Sequence, residues 1–146
     1  MARAKRRYMV LRAPVVLDYA LNSICRHLGI PLGTIYSLAI NMLYGDVKMG
    51  KISKEALISL YHEKRNEYRG KKYMCEKNGY ITFEYEFSVK EEIWMKEREL
   101  MDLIDPEMED KSPFRYMILK YLIERDKNLL TIEANTEKAF LEHIGG

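Results

Sequence analysis

Cationic side chains are concentrated in the first part of the chain, where they could bind an anion. Residues 1–53 carry eight Lys or Arg against two Asp or Glu, residues 54–79 carry seven against four, and residues 80–146 carry nine against sixteen. These local balances of +6, +3 and −7 add to the formal net charge of +2. The asymmetry suggests that one half faces an anion. Solvated surface with intramolecular pairing of the two halves is the alternative, and charge alone does not decide between them.

Other reactive side chains form no catalytic or metal-binding pattern. Cys25 and Cys75 lie outside any C-x-x-C pair, and the three histidines have no second ligand type at metal spacing. The sequence shows no nucleophile–base pair and no phosphate-cradling glycine loop. Glu84 and Glu86 fit the polar face of a strand better than an acid–base dyad. We therefore expect a protein that is not an enzyme, with no cofactor, no metal site and two reduced thiols.

The element that would position the first cations is a short strand. Residues 8–12, Tyr-Met-Val-Leu-Arg, favour a strand, and Pro14 ends it because proline cannot donate to a ladder. Gly29 ends the helix that follows, and Pro31 begins a second helix that ends at Gly45. The first helix is indicated by an apolar stripe with steps of four, three and four residues: Leu17, Leu21, Ile24 and Leu28.

A helical insert is predicted for residues 46–79. A loop from Gly45 to Ser53 precedes a helix that Ser53 caps and that runs to about Tyr68. Turn signals then surround a possible short strand at residues 73–75.

A second strand is predicted by the alternation in residues 81–87. Ser88–Glu91 is predicted to be a capping box that opens a helix, and Ser112 is predicted to cap another helix with proline in its first turn. Residues 129–132 are predicted to be extended and residues 136–144 helical. The strand has four apolar residues on one face and three polar residues on the other: Ile81, Phe83, Tyr85 and Phe87 against Thr82, Glu84 and Glu86.

The order strand, helix, turn, helix therefore occurs twice. Arg12 would correspond to Glu86, 74 positions later, and Pro31 to Pro113, 82 positions later, so the second copy would be eight residues longer between its helices. The predicted fold is mostly α with a short β ribbon. It comprises two tandem βαα motifs at residues 1–45 and 80–125, the insert at residues 46–79 and a C-terminal tail at residues 126–146.

The first βαα unit resembles the ribbon-helix-helix family of DNA-binding proteins. The resemblance covers residues 6–44 and rests on the strand that ends Val-Leu-Arg-Ala-Pro, the following helix, Gly29-Ile30-Pro31 and the second helix. Members of the family pair two such strands into an antiparallel ribbon that enters the major groove. The resemblance implies a DNA-binding transcription regulator whose partner is double-stranded DNA.

The resemblance also implies which strand residues contact the bases. Arg12 could bind O6 and N7 of one guanine, Tyr8 could hydrogen-bond or stack, and Val10 could touch a thymine methyl group. Val10 departs from the polar residue that is usual at this position in the family. The alternation of the strand divides its residues into two sets, with Tyr8, Val10 and Arg12 facing DNA, and Met9, Leu11 and Ala13 facing the core.

Two sets of phosphate contacts follow from the same resemblance. One set is at the start of the second helix, where free N–H groups and the helix dipole favour an anion and where Gly33 would allow a phosphate to approach closely. The other is a flexible basic arm whose contacts would not depend on sequence. The residues are Leu32, Gly33 and Thr34 in the first set, and Arg3, Lys5, Arg6 and Arg7 in the second.

The second motif has an acidic outward face, formed by Thr82, Glu84 and Glu86. Phosphates would repel it, although glutamate can accept a hydrogen bond from cytosine N4. A small βαα unit cannot bury its apolar face alone, so its strand must pair. It could pair with the first strand of the same chain, giving an asymmetric ribbon, or with its twin in another chain, giving a palindromic site. We favour the first pairing and expect a homo-oligomer in either case.

A tandem pair of such motifs in a chain without glutamine is similar to transcription regulators of hyperthermophilic archaeal viruses, since amides are thermolabile. This similarity implies a regulator that acts near promoters, with the transcription machinery as a possible further partner. No apolar run reaches the ~20 residues that a membrane span needs, so we expect a cytoplasmic protein, in the host cell if it is viral. The alternative function is a protein-interaction or antitoxin-like module that uses the acidic C-terminal half.

Overall fold

Six helices and one two-stranded antiparallel sheet make up the part of the chain that the computed structural model describes, residues 5–145. The fold is thus mostly helical with a small β ribbon, as the sequence predicts. Arg3, a predicted phosphate contact, lies outside the described residues. The elements follow one another as β1 (Arg6–Pro14), α1 (Val15–Leu28), α2 (Leu32–Lys48), α3 (Lys54–Lys77), β2 (Thr82–Lys90), α4 (Glu91–Ile104), α5 (Ser112–Ile123) and α6 (Lys127–Gly145).

The two strands pair with each other within the chain. Arg6 lies opposite Lys90, Val10 opposite Glu86, and Pro14 opposite Thr82. The sequence left open whether the second strand pairs with the first strand of its own chain or with its twin in another chain. In this structure it pairs with the first strand of its own chain.

The correspondence between the two halves differs from the predicted one. Both ends of β2 lie 76 positions after those of β1, and α4 begins 76 positions after α1. The start of α5 lies 80 positions after the start of α2. The predicted strand offset of 74 is therefore wrong. Arg12 corresponds to Ser88 instead of Glu86, and the second half is four residues longer between its helices instead of eight. Because the side-chain period of a strand is two, a shift of two residues keeps every side chain on its face and leaves the pattern unchanged.

The alternation predicted for β1 is confirmed by burial. Met9, Leu11 and Ala13 are at most 2% exposed, whereas Tyr8 is 85% exposed. The apolar face of β2 is covered only toward its C-terminal end. Phe87 and Val89 are buried, and the ring of Phe87 packs 5.2 Å from that of Tyr36 on α2.

Two residues predicted to lie in the core at the start of β2 are exposed. Ile81 precedes the strand and is 72% exposed, and Phe83 is 42% exposed. Tyr85 is half-buried, with its hydroxyl bonded to Asp18 of α1. The helices cover the other end of β2, so the alternation of this strand overstates how much of it is buried.

Three predicted breaks in helices are absent. Gly45 lies within α2, which continues to Lys48, so the predicted boundary at residue 45 falls inside this helix. Gly70 and residues 73–75, a predicted turn and strand, belong to the unbroken α3. Residues 129–132, predicted to be extended, lie in the first turns of α6, whose helical state at residues 136–144 is confirmed. Packing of an amphipathic face stabilises these helices beyond what local propensity provides.

Of the three helices for which a serine cap is predicted, one has a serine side chain as its cap. The Oγ of Ser53 accepts a hydrogen bond from the backbone N–H of Ala56 at 3.1 Å, which confirms the cap of α3. Ser88 remains in β2, and α4 begins three residues later without a side-chain cap. Ser112 is the first residue of α5, and its Oγ accepts a hydrogen bond from the N–H of Arg12 instead of capping the helix.

Buried charged groups join α3, α5 and α6 beside the apolar core. Lys64 donates hydrogen bonds to Glu67, at 3.2 Å, and to Glu124. Lys120 pairs with Glu133, and both side chains are almost fully buried. No single helix among the described residues is long and apolar enough to cross a membrane. Only α1 and α2 taken together pass that test, across a bend of 92°.

Candidate nucleic-acid interface

The outward side of the ribbon brings the predicted base-contacting residues together. We call this surface the ribbon face. It carries three cations and two carboxylates, and Tyr8 near its middle is the most exposed large apolar side chain. The alternate residues that form it are Arg6, Tyr8, Val10 and Arg12 of β1, and Thr82, Glu84, Glu86, Ser88 and Lys90 of β2.

Arg12, the residue expected to bind guanine, is paired with a carboxylate across the ribbon. Its Nε lies 3.1 Å from Oε1 of Glu84, which is directly opposite in the register. Both side chains are more than half exposed. An exposed pair of this kind contributes about 0–1 kcal/mol, so a nucleic acid could displace Glu84 at low cost.

Arg6 lies across the ribbon as part of β1. Its Nε donates to the Oγ of Ser88 at 2.9 Å, and a terminal nitrogen donates to the carbonyl oxygen of Ser88 at 2.9 Å. The guanidinium group is nevertheless exposed. The structure therefore places Arg6 on the ribbon face, and the predicted flexible arm does not include it.

Arg7 points to the opposite side of the ribbon. One terminal nitrogen lies 2.9 Å from Oε1 of Glu91, and the guanidinium carbon lies 4.5 Å from the centre of the Trp94 ring. The Nζ of Lys5 lies 3.8 Å from the same carboxylate oxygen. The prediction that Arg7 belongs to a flexible arm is wrong, because residue 7 shares its strand face with the buried Met9. Extending the alternation back to Arg6 would have shown this.

The predicted phosphate site at the start of α2 lies beside β2. Leu32 and Gly33 are buried and Thr34 is exposed. A Cβ at Gly33 would lie 2.5 Å from the carbonyl oxygen of Ser88, so β2 itself accounts for glycine at this position. The first turn of α2 has no acidic residue and its N-cap makes no side-chain hydrogen bond. A groove of about 450 Å³ separates this turn from Tyr8 on the ribbon face.

The start of α5 differs electrostatically from the start of α2. Oδ1 of Asp110 accepts a hydrogen bond from the backbone N–H of Ser112 at 3.1 Å. Asp110 and Glu109 line a groove of about 440 Å³ together with three cations, Arg12, Lys111 and Arg115. A carboxylate thus occupies the position where a phosphate would otherwise meet the free N–H groups of this helix.

The outer edge of β1 is held by side chains from two helices. The N–H of Arg12 donates to Oγ of Ser112 at 3.0 Å, and the hydroxyl of Tyr68 donates to the Arg12 carbonyl at 2.7 Å. Burial and the nearby Asp110 raise the pKa of Tyr68 to about 12. The backbone that presents Arg12 is therefore anchored, and this edge position is closed to a further strand.

A buried polar group that the sequence analysis missed supports the same edge. Both oxygens of Glu97 accept hydrogen bonds from Arg115, at 3.1 and 3.2 Å, and one also accepts from the hydroxyl of Tyr36. Arg115 in turn donates to the carbonyl oxygen of Val10. Burial and the charge of Glu97 raise the pKa of Tyr36 well above its ordinary value. Burial lowers the pKa of Arg115, but the hydrogen bonds and charge of Glu97 outweigh it and raise this pKa.

Glu97 had a detectable signal in the sequence. It lies four residues after Ile93 and three before Leu100, inside the apolar stripe of α4. A carboxylate at a core position predicts a buried cationic partner, since an unpaired buried charge is costly. The sequence does not say which cation this is.

Comparison with known proteins adds no relative. The chain matches no protein-family model, no curated protein and no solved structure. Across residues 5–145, no group of three or more His, Cys, Asp or Glu side chains is arranged to hold a metal ion. Geometry and charge therefore single out the ribbon face as the candidate site.

Proposed function

We propose that the protein binds double-stranded DNA in the major groove through the ribbon face and acts as a transcription regulator. In this proposal the two halves of the chain are tandem ribbon-helix-helix motifs that form one ribbon. The observation that carries the proposal is the exposed Tyr8, which lies between Arg6 and Arg12 on a strand whose opposite face buries Met9, Leu11 and Ala13. A rigid two-stranded ribbon with exposed guanidinium and aromatic groups suits the width and donor–acceptor pattern of the major groove.

The proposed recognition is asymmetric. The position in β2 that is equivalent to Arg12 of β1 holds Ser88, and the position equivalent to Val10 holds Glu86. One chain then reads a site without two-fold symmetry, in contrast to the palindromes read by symmetric dimers. The uncapped start of α2, at Leu32 and Thr34, provides the proposed phosphate contact on one side.

The remaining parts of the proposal concern partners and location. A homo-oligomer would place two ribbons on neighbouring sites, which a solution mass measured with and without DNA can test. A regulator similar to those of hyperthermophilic archaeal viruses would act in the cytoplasm of the host, beside the transcription machinery. The antitoxin-like alternative requires an available C-terminal segment. The structure does not favour it, because Phe140 of α6 packs with Tyr19 of α1 and with Tyr80, at ring distances of 5.8 and 5.3 Å.

Selection from random duplexes followed by a salt titration tests the proposed function. Arg12→Ala should weaken binding to the selected duplex by about 1–3 kcal/mol, toward the lower end because Glu84 must first be displaced. Tyr8→Ala should also weaken it. Lys138→Ala, on the exposed surface of α6, is the control and should bind like the wild type.

Two results would contradict the proposal. If the wild-type chain binds no duplex at low salt, the protein is not a DNA-binding regulator. If it binds, but Arg12→Ala and Tyr8→Ala bind the selected duplex as tightly as wild type, the ribbon face is not the surface that reads DNA.

A further inference from the structure

The helical insert carries a second cationic surface, separate from the ribbon face. We call it the α3 basic surface and define it as Arg69, Lys72 and Lys77. Arg69 and Lys77 are exposed and Lys72 is half-buried. Throughout residues 5–145, no carboxylate oxygen lies within 4 Å of the charged nitrogens of these three residues.

Other cations of α3 are used inside the protein. Lys71 lies 3.3 Å from Glu137 of α6, and the buried Lys64 contacts Glu67 and Glu124. Of the remaining cations of α3, Arg65 lies 5.9 Å from the centre of the Tyr61 ring, and Lys54 is exposed at the start of the helix. The α3 basic surface groups three of these cations in the C-terminal half of the helix, where they are free to bind an external anion.

Contacts along α3 show where its C-terminal half lies. Glu67 accepts a hydrogen bond from the hydroxyl of Tyr116, in the first half of α5, at 3.1 Å. One residue later, Tyr68 reaches the carbonyl oxygen of Arg12, whose N–H is bound by Ser112 at the start of α5. Since α3 runs antiparallel to α5, it approaches the ribbon as its residue number rises.

The last turns of α3 lie beside the end of β1. Cys75 belongs to one buried cluster with Val15 and Val16, the two residues that directly follow the strand. The nine residues after Tyr68 span about 13 Å of helix, so they extend well beyond the anchored strand edge. The α3 basic surface is therefore next to the Arg12 end of the ribbon.

We infer that the α3 basic surface binds the DNA phosphate backbone that flanks the groove at the Arg12 end of the ribbon. The inference rests on the proposed function. Lys and Arg side chains bind phosphate oxygens without reading sequence. Tyr73, which is 69% exposed between them, adds a hydroxyl donor. With Glu76 included, the surface has a net charge of +2.

This inference also accounts for the carboxylate of Asp110 at the start of α5. The Asp110 carboxylate accepts a hydrogen bond from the N–H of Ser112 and so takes the place of a phosphate at the start of this helix. At the other end of the ribbon, the start of α2 makes no side-chain cap hydrogen bond. On the Arg12 side, α3 supplies phosphate contacts in place of the helix start that Asp110 occupies, and it widens the footprint beyond the groove that the ribbon enters.

A matched pair of double variants of the full chain tests the inference. Lys72→Gln/Lys77→Gln removes two charges from the α3 basic surface. Lys54→Gln/Lys138→Gln removes two exposed lysine charges elsewhere, at the start of the same helix and on α6. Binding is measured on the selected duplex and on a random duplex between low and high salt, with thermal unfolding as a check that both variants fold.

The expected result is a change in the salt dependence of binding. Loss of two phosphate contacts makes the slope of log K against log salt less steep by about 1.8. With affinity at 1 M salt unchanged, this slope corresponds to about 60-fold weaker binding at 0.1 M. The ratio of selected to random affinity should not change, since phosphate contacts carry no sequence information. The Lys54→Gln/Lys138→Gln control should keep the wild-type slope.

The outcomes separate this inference from the proposed function. If both double variants have the same slope while Arg12→Ala still weakens specific binding, the ribbon assignment stands and the role of α3 is wrong. If the wild-type chain binds no duplex, the proposed function fails, and the inference fails with it.

Discussion

Replacing Gly33 by alanine tests the closest approach between α2 and the ribbon. A Cβ at this position would lie 2.5 Å from the carbonyl oxygen of Ser88, about 0.9 Å inside the 3.4 Å at which ordinary contact begins. The blocking atom is backbone, and it also accepts a hydrogen bond from Arg6, so α2 must move away from β2. Overpacking of this kind costs about 1–3 kcal/mol, whereas alanine gains at most about 1 kcal/mol over glycine within a helix. We expect a net loss of about 1–2 kcal/mol in the free energy of unfolding.

Urea unfolding followed by circular dichroism measures this loss. Gly45→Ala is the matched control, because it makes the same change in the same helix at a site with no heavy atom within 4 Å. It should raise the free energy of unfolding by about 0.5–1 kcal/mol. The two variants should therefore shift the urea midpoint in opposite directions.

The same pair of variants distinguishes two explanations of Gly33. If glycine is there to let a phosphate approach, Gly33→Ala should weaken DNA binding and leave unfolding without DNA unchanged. If it is there because β2 is close, the variant should lose stability without any DNA present. A midpoint for Gly33→Ala at or above that of wild type, with Gly45→Ala stabilising as expected, would refute our reasoning.

Two further predictions concern the groups that anchor β1. Glu97→Ala should lower the free energy of unfolding by about 3–5 kcal/mol, because it leaves the Arg115 guanidinium buried without its partner. A loss below about 1 kcal/mol, measured by urea unfolding, would contradict the buried pair. The pKa of Tyr68 is raised from 10 to about 12, so its contribution to stability is complete below pH 10 and is lost as pH rises toward 12. When pH rises from about 9 to about 11.5, the free energy of unfolding of Tyr68→Phe should therefore fall less than that of the wild type. Urea unfolding at the two pH values measures both changes, and an equal fall in the two proteins would count against the raised pKa.

Local sequence patterns determined the type of most elements in this protein. The alternation of residues 8–13 fixed which side of β1 is buried, since successive strand residues point to opposite faces. Gly29 ends α1 in the left-handed conformation, with φ of 67°, which glycine adopts without strain. The repeated order of strand, helix and helix also followed from the apolar spacing. These features depend on neighbours along the chain and are therefore visible in the sequence.

Tertiary structure decided the register, the helix boundaries and the electrostatics of the ribbon face. A period-two pattern cannot distinguish an offset of 76 between the halves from one of 74. Packing also keeps α2 helical beyond Gly45, where the sequence predicts that it ends. The Arg12–Glu84 pair, 72 positions apart along the chain, exists only because β1 pairs with β2 of the same chain. Such contacts depend on which distant segments meet. Composition and periodicity could narrow these possibilities to a few arrangements, and the burial of apolar surface between the segments selected one of them.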